Sequence, residues 1–141
     1  MEFNELIKQF SERVCKIKDT IVTEEATKMS LIVPLFQLLG YDVFNPLEFC
    51  PEYTADVGIK KGEKVDYAIL QDGMPSILIE CKSCTDSLDK HSSQLFRYFG
   101  TTSAKFGILT NGIIYRFYTD LEESNKMDLI PFLEVDISQP K

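Results

Sequence analysis

Two apolar runs joined by a short glycine turn constrain this chain more than any other feature: Val65-Asp-Tyr-Ala-Ile-Leu, then Gln71-Asp-Gly-Met-Pro, then Ser76-Ile-Leu-Ile-Glu-Cys-Lys82. Paired as a hairpin centred near Gly73, they set Asp66 opposite Glu80. Side chains alternate along a strand, so Lys82 shares the face of Glu80. Like charges directly across a sheet destabilise it by roughly 0.2–1 kcal/mol even before burial. A divalent cation between them is the expected remedy. Ile77-Leu78-Ile79 is continuously apolar, as in a strand covered on both faces. A carboxylate that continues such a strand needs a partner, whereas one on an open surface does not.

The remaining chain frames that hairpin. Phe3, Leu6, Ile7, Phe10, Val14 and Ile17 recur at helical spacing and predict an amphipathic first helix. Thr23 is placed to cap a second, with Glu24 and Glu25 at the positive end of its dipole. Met29, Ile32, Val33, Phe36 and Leu39 are its expected apolar positions, and Gly40 its terminator. Pro34 removes a backbone donor and predicts a bend or weak point within it. Tyr41 to Ala55, with Pro46 and Pro51, reads as an irregular crossing that ends in a strand or sheet edge. Asp86 or Ser87 is placed to cap a third helix running to Phe99, with Leu88, Leu95 and Phe99 inward and Gln94 and Tyr98 neighbours at i, i+4. Asn111-Gly112 between apolar runs signals a second hairpin. An apolar island, Leu129 to Val135, interrupts an acidic C-terminal stretch.

A chain of 141 residues suits one domain, 1–141, standing alone or as a piece of a longer protein. No apolar stretch approaches the ~20 residues of a membrane span, and the start lacks the basic residues of a signal peptide; the expected setting is the cytoplasm, with no membrane partner. Cys15, Cys50, Cys81 and Cys84 do not form the framework of a small secreted protein. Cys81-Lys-Ser-Cys84 has metal-ligand spacing but lacks a second such pair. A zinc or thiol protein therefore stays open as a third reading, with Cys81 otherwise a small buried hydrophobe on the strand face opposite Glu80.

The net charge of −7 argues against wholesale attraction to nucleic acid. Its distribution is more permissive: Lys60, Lys61, Lys64, Lys82, Lys90, Arg97, Lys105 and Arg116 fall where acids are fewer, and are candidates for a phosphate-facing patch. The alternative is an ordinary mixed-charge surface. A single histidine, His91, disfavours His-based nucleases, HExxH zinc sites and Ser-His-Asp triads. No Gly-x-x-x-x-Gly-Lys-[Ser/Thr] occurs, so this chain has no ATP site of that type.

Phosphodiester hydrolysis needs charge stabilisation, an activated water and protonation of the leaving group. Mg²⁺ held by one or two carboxylates serves the first two, because it keeps several waters and accepts substrate oxygens. Asp66 and Glu80 are candidate ligands, with the backbone carbonyl of Cys81. Lys82 is then placed to orient or deprotonate the water or to neutralise transition-state charge. A plain salt bridge to one carboxylate is the other role open to it.

Asp66, thirteen residues, then Glu80-x-Lys82 resembles the PD-(D/E)xK nuclease motif, with Val65 in place of its proline. Gln94-Leu-Phe-Arg-Tyr98 resembles the Gln-x-x-x-Tyr helix that follows the catalytic strands in nucleases of that superfamily. Thr23-Glu-Glu-Ala-Thr27, Pro34-Leu-Phe-Gln-Leu-Leu-Gly-Tyr-Asp42 and Leu109-Thr-Asn-Gly-Ile-Ile-Tyr-Arg-Phe-Tyr118 look like the N-terminal nuclease domain of type I restriction enzyme R subunits. The resemblance implies an α/β, restriction-endonuclease-like fold, a central mixed β-sheet flanked by α-helices. It further implies Mg²⁺-dependent cleavage of DNA, with Mn²⁺ able to substitute, and restriction-modification subunits or a missing C-terminal region as partners. Residue by residue, Asp66 and Glu80 would be metal ligands and Lys82 the catalytic lysine, with Gln94 and Tyr98 approaching to position DNA or Lys82. Glu24 matches an acid that lies beside the metal in relatives, and a helix-dipole role is its alternative. For Gln94 and Tyr98 the alternative is a tyrosine packed on the sheet. A catalytically silent module of the same fold, binding DNA or docking subunits, is the rival to the enzyme.

Overall fold

The computed structural model describes residues 2–54, 64–89, 93–124 and 126–139. Six strands form one sheet in the order β1-β2-β3-β4-β5-β6: Phe49–Tyr53, Val65–Gln71, Met74–Cys81, Phe106–Thr110, Ile114–Tyr118 and Leu133–Asp136. Only β3 and β4 run parallel; the other neighbours are antiparallel. This is a mixed sheet with helices on both faces, an α/β fold of the restriction-endonuclease-like kind.

The hairpin register follows the one expected over Tyr67↔Ile79, Ala68↔Leu78 and Ile69↔Ile77, then slips by one residue at a bulge between Ile69 and Leu70. Asp72 and Gly73 carry the turn at φ 53° and 80°, the left-handed conformation that Gly and Asp tolerate best. Strand β1, with Pro51 in it, lies at the sheet edge, where a missing donor costs no ladder bond.

One face of the sheet is covered by α1 (Phe3–Ile17) and by a second helical stretch in three parts: α2 (Glu24–Thr27), a π-helical turn (Lys28–Ile32) and α3 (Val33–Leu38). Phe10, Val14, Leu31, Ile32, Leu35 and Phe36 pack there against Ile69, Ile79 and Ile108. The Thr23 hydroxyl accepts the Ala26 N–H, the expected cap. Pro34, which cannot donate to the carbonyl four residues back, is the second residue of α3, just past the π turn, so the weak point is a widened turn without a break in the helical path. The extra residue per turn also moves the buried face: Leu31 and Leu35 are covered while Met29, expected inward, is 79% exposed.

On the other face lies α4 (Ser93–Phe99), with Leu95, Tyr98 and Phe99 over Val65, Ala68, Leu78 and Leu109. Gly107 allows this approach, since a β-carbon there would stand 3.2 Å from Leu95 Cδ2. The helix expected to start at Asp86 or Ser87 does not do so. Asp86 closes a turn onto the Ser83 carbonyl, and the Ser87 hydroxyl accepts the Asp89 N–H locally, the competition with helix that Ser and Asp side chains offer. Lys60, Lys61, Lys90 and His91 lie outside the described residues.

Candidate functional site

The site grows from the end of the first hairpin, where β2 and β3 separate. Their pairing ends at Tyr67↔Ile79, and the next donor on β3, the Cys81 N–H, turns to the Asp66 carboxylate at 2.8 Å. Beyond it the Lys82 N–H bonds the Thr110 carbonyl, prolonging the β3–β4 pairing. Asp66 therefore fills the gap left by a diverging strand.

Glu80 is 3% exposed, and its Oε1 has no hydrogen-bond partner. Burial, then the charge of Asp66, push its pKa up to about 8, against a weaker opposing pull from Lys82. Lys82 Nζ stands 3.7 Å from Glu80 Oε2, too long for a hydrogen bond. The like-charge pair read from sequence is thus present, and the carboxylate deeper in the protein is the one held toward its neutral form. Cys81, between Glu80 and Lys82 in sequence, turns to the opposite face and packs with Ile79 and Tyr115; burial pushes its thiol pKa well up.

Lys28 completes the cluster, and the reading of the sequence missed it. Its ammonium lies 2.8 Å from Asp66 Oδ1, 3.1 Å from Glu25 Oε1 and 3.9 Å from Glu24 Oε2. Burial works against its charge, but the hydrogen bonds it donates to Asp66 and Glu25 outweigh that and raise its pKa above the usual lysine value. Spacing alone marks Lys28 as the partner of Glu24 and Glu25 on one helix; its third acid comes from a strand thirty-eight positions away in the chain.

The loop after Lys82 is held from two sides. The Cys84 N–H donates to the Thr27 hydroxyl at 3.0 Å, and that hydroxyl donates to the Thr23 carbonyl. From the β4–β5 turn, the Asn111 amide donates to the Asp86 carbonyl, while its oxygen accepts from Ile113 and Ile114. Thr27 thus ties the loop that follows Lys82 to the helical layer that carries Lys28, and Asn111, marked in the sequence only as a turn residue, ties it to the β4–β5 turn.

The other expected site residues are more distant from the carboxylates' own bonds. The Gln94 amide donates to the Lys64 carbonyl at 2.9 Å, two residues before Asp66, and so anchors the start of β2. Tyr98 lies in the apolar layer beneath α4, 5% exposed. Glu24 reaches the cluster through Lys28. The basic residues proposed as a phosphate-facing patch already have acidic partners at Lys64 (Glu52, 3.7 Å), Lys105 (Asp120, 3.9 Å) and Arg116 (Glu134, 2.6 Å; Asp89, 2.9 Å). The Cys84 thiol points to the Ile21 carbonyl at 3.3 Å.

Among the described residues no three His, Cys, Asp or Glu side chains converge as a metal-binding group. Two carboxylates and the Cys81 carbonyl still suit a hard cation that retains water in the remaining positions, and the unpartnered, buried Oε1 of Glu80 is the atom such a cation would satisfy. No helix among the described residues is long and apolar enough to cross a membrane. Neither the comparison with curated proteins nor that with solved structures gives a match. Residues 59–126, a little under half of the chain, do match a family model. That segment carries Asp66, Glu80, Lys82, Gln94 and Tyr98, and the model it matches is that of the type I restriction enzyme R protein N terminus.

Proposed function

We propose that the chain is a Mg²⁺-dependent DNA endonuclease domain of a cytoplasmic restriction-modification system. The observation that carries this reading is Glu80: a buried carboxylate with an unpartnered oxygen, beside Asp66 and 3.7 Å from the Lys82 ammonium. Structural carboxylates are rarely left in that state, because an unpaired buried acceptor costs about 1–3 kcal/mol. Bound Mg²⁺, or Mn²⁺ in its place, would supply charge stabilisation and a water of lowered pKa. Asp66, Glu80 and the Cys81 carbonyl would hold it, with Glu24 an outer acid. Lys82, beside Glu80, orients the attacking water and offsets charge on the phosphate. Gln94 fixes the approach of β2 to the site, and Tyr98 supports the same strand from beneath α4.

The test is cleavage of plasmid and linear DNA in Mg²⁺ or Mn²⁺. Lys82→Ala is expected to slow it by about 10²–10⁴-fold, and Asp66→Ala to abolish Glu80-dependent Mn²⁺ binding as well. Cleavage unchanged by both substitutions sinks the assignment. One observation favours a second reading, a silent module of this fold that binds DNA or docks restriction-modification subunits: Asp66 is already paired with Lys28, and Lys64, Lys105 and Arg116 with acids. That module would show no Mn²⁺ binding that depends on Glu80.

A further inference from the structure

We propose that Lys28 is a positioning residue that holds the cation seat of Asp66 in the metal-free protein and yields it by drawing its ammonium back onto Glu25 and Glu24, which it already touches. The inference rests on the metal-site reading above and goes beyond it, because it assigns control of loading to a residue outside the matched segment 59–126.

The geometry carries it in three steps. Asp66 has two oxygens: Oδ2 is committed to the Cys81 N–H, and Oδ1 is taken by Lys28 at 2.8 Å. A divalent cation that uses Oδ1 must therefore meet or displace an ammonium already there, since two cations on one oxygen repel strongly at low dielectric. The displaced ammonium has a place to go. Glu25 Oε1 is at 3.1 Å and Glu24 Oε2 at 3.9 Å, both on the helical turn that precedes Lys28, so a rotation about the lysine stem releases Asp66 and keeps the two acids the ammonium already touches, without exposing an unpaired charge.

The local backbone suits a mobile head on a fixed stem. Lys28 opens the π turn forced ahead of Pro34, a feature common at functional sites. Its predecessor Thr27 is fully buried and tied to Cys84 and Thr23. The anchor stays with the loop that follows Lys82 while the ammonium alone moves off Asp66. Displacing Lys28 also leaves Asp66 and Glu80 facing the cation together, which is the arrangement their mutual repulsion otherwise opposes.

The metal affinity of such a site is reduced by the fraction of molecules in which Lys28 still holds Asp66. Mn²⁺ titration of the whole chain by calorimetry, with circular dichroism to verify folding, reads that fraction. Lys28→Met is expected to tighten Mn²⁺ binding about tenfold, and Glu25→Gln, which removes the alternative seat, to weaken it about threefold. Because removal of any nearby charge moves affinity in these directions, the decisive variant is the double one. If Glu25 acts through Lys28, Lys28→Met/Glu25→Gln binds as tightly as Lys28→Met alone; a further threefold loss in the double variant overturns the proposal. Should Lys28→Met not fold, Lys28→Gln takes its place. Glu25 is exposed, so an unchanged affinity in Glu25→Gln counts against the proposal by itself. Wild-type binding that depends on Glu80 but ignores Lys28 overturns this inference alone. No binding in wild type or in Lys28→Met overturns the metal site too.

Discussion

Two clusters of acids and bases sit on this sheet, and they differ in where water stands. At the β2–β3 end, Asp66, Glu80, Lys28 and Lys82 gather around a carboxylate that is 3% exposed and keeps an unpartnered oxygen. At the β5–β6 end, Arg116 joins Glu134 at 2.6 Å and Asp89 at 2.9 Å, so that both acids have a hydrogen-bonded partner. The second cluster leaves neither acid without a hydrogen bond, yet both face solvent, where ion pairs contribute little. The first is held in a less favourable state by the fold around it. Chemistry belongs where electrostatic tension persists, and surface pairing removes such tension.

The largest expected effect tests the support of the inner cluster. A β-carbon on Gly112 would come within 2.9 Å of Leu31 Cδ1 and 3.0 Å of Thr27 Cγ2, on a backbone at φ +85°. Gly112→Ala is therefore expected to cost about 3 kcal/mol in urea unfolding. It should also weaken Mn²⁺ binding, because Thr27 anchors the loop that follows Lys82. A neutral substitution would mean that the helical layer is not pressed on the β4–β5 turn as described.

A smaller effect separates the clusters by pH. The folded pKa of Glu80, about 8, lies above its ordinary 4.5, so its contribution to stability is complete below pH 4.5 and lost as pH climbs through 8. The charges around it are Asp66, Lys82 and, through Asp66, Lys28. In chelator, Glu80→Gln should match wild type near pH 5 and exceed it by on the order of 2 kcal/mol at pH 9. Thermal unfolding across that range measures the gap, and a gap that stays constant would put Glu80 on the same footing as the solvent-facing acids. The smallest effect belongs to the outer cluster: Glu134→Gln should leave stability within about 1 kcal/mol of wild type, and a larger loss in the same unfolding assay would erase the distinction.

Much of the frame was legible in the sequence because it depends on local rules. A hairpin centred near Gly73 held from Ile69↔Ile77 to Tyr67↔Ile79, on the far side of the bulge, Thr23 capped its helix, and Asn111-Gly112 joined β4 to β5. Alternation along β3 correctly separated Cys81 from Glu80. Where local rules offered two answers, the expectation missed. Asp86 and Ser87 have good capping chemistry, but their bonds close turns instead. Met29 follows the 3.6-residue period, but the π turn before Pro34 shifts the face.

Sequence alone determined that an acidic pair with a lysine stands at the end of a buried strand, since strand alternation and turn position are properties of neighbouring residues. Only the tertiary structure decided what meets that pair. Lys28 reads as a helix-surface partner of Glu24 and Glu25 until the helical layer folds onto the sheet and brings it to Asp66. Gln94 reaches the Lys64 carbonyl for the same reason. Contacts between distant segments follow from how apolar faces pack, and no spacing within either segment encodes which charged head will stand at the seam.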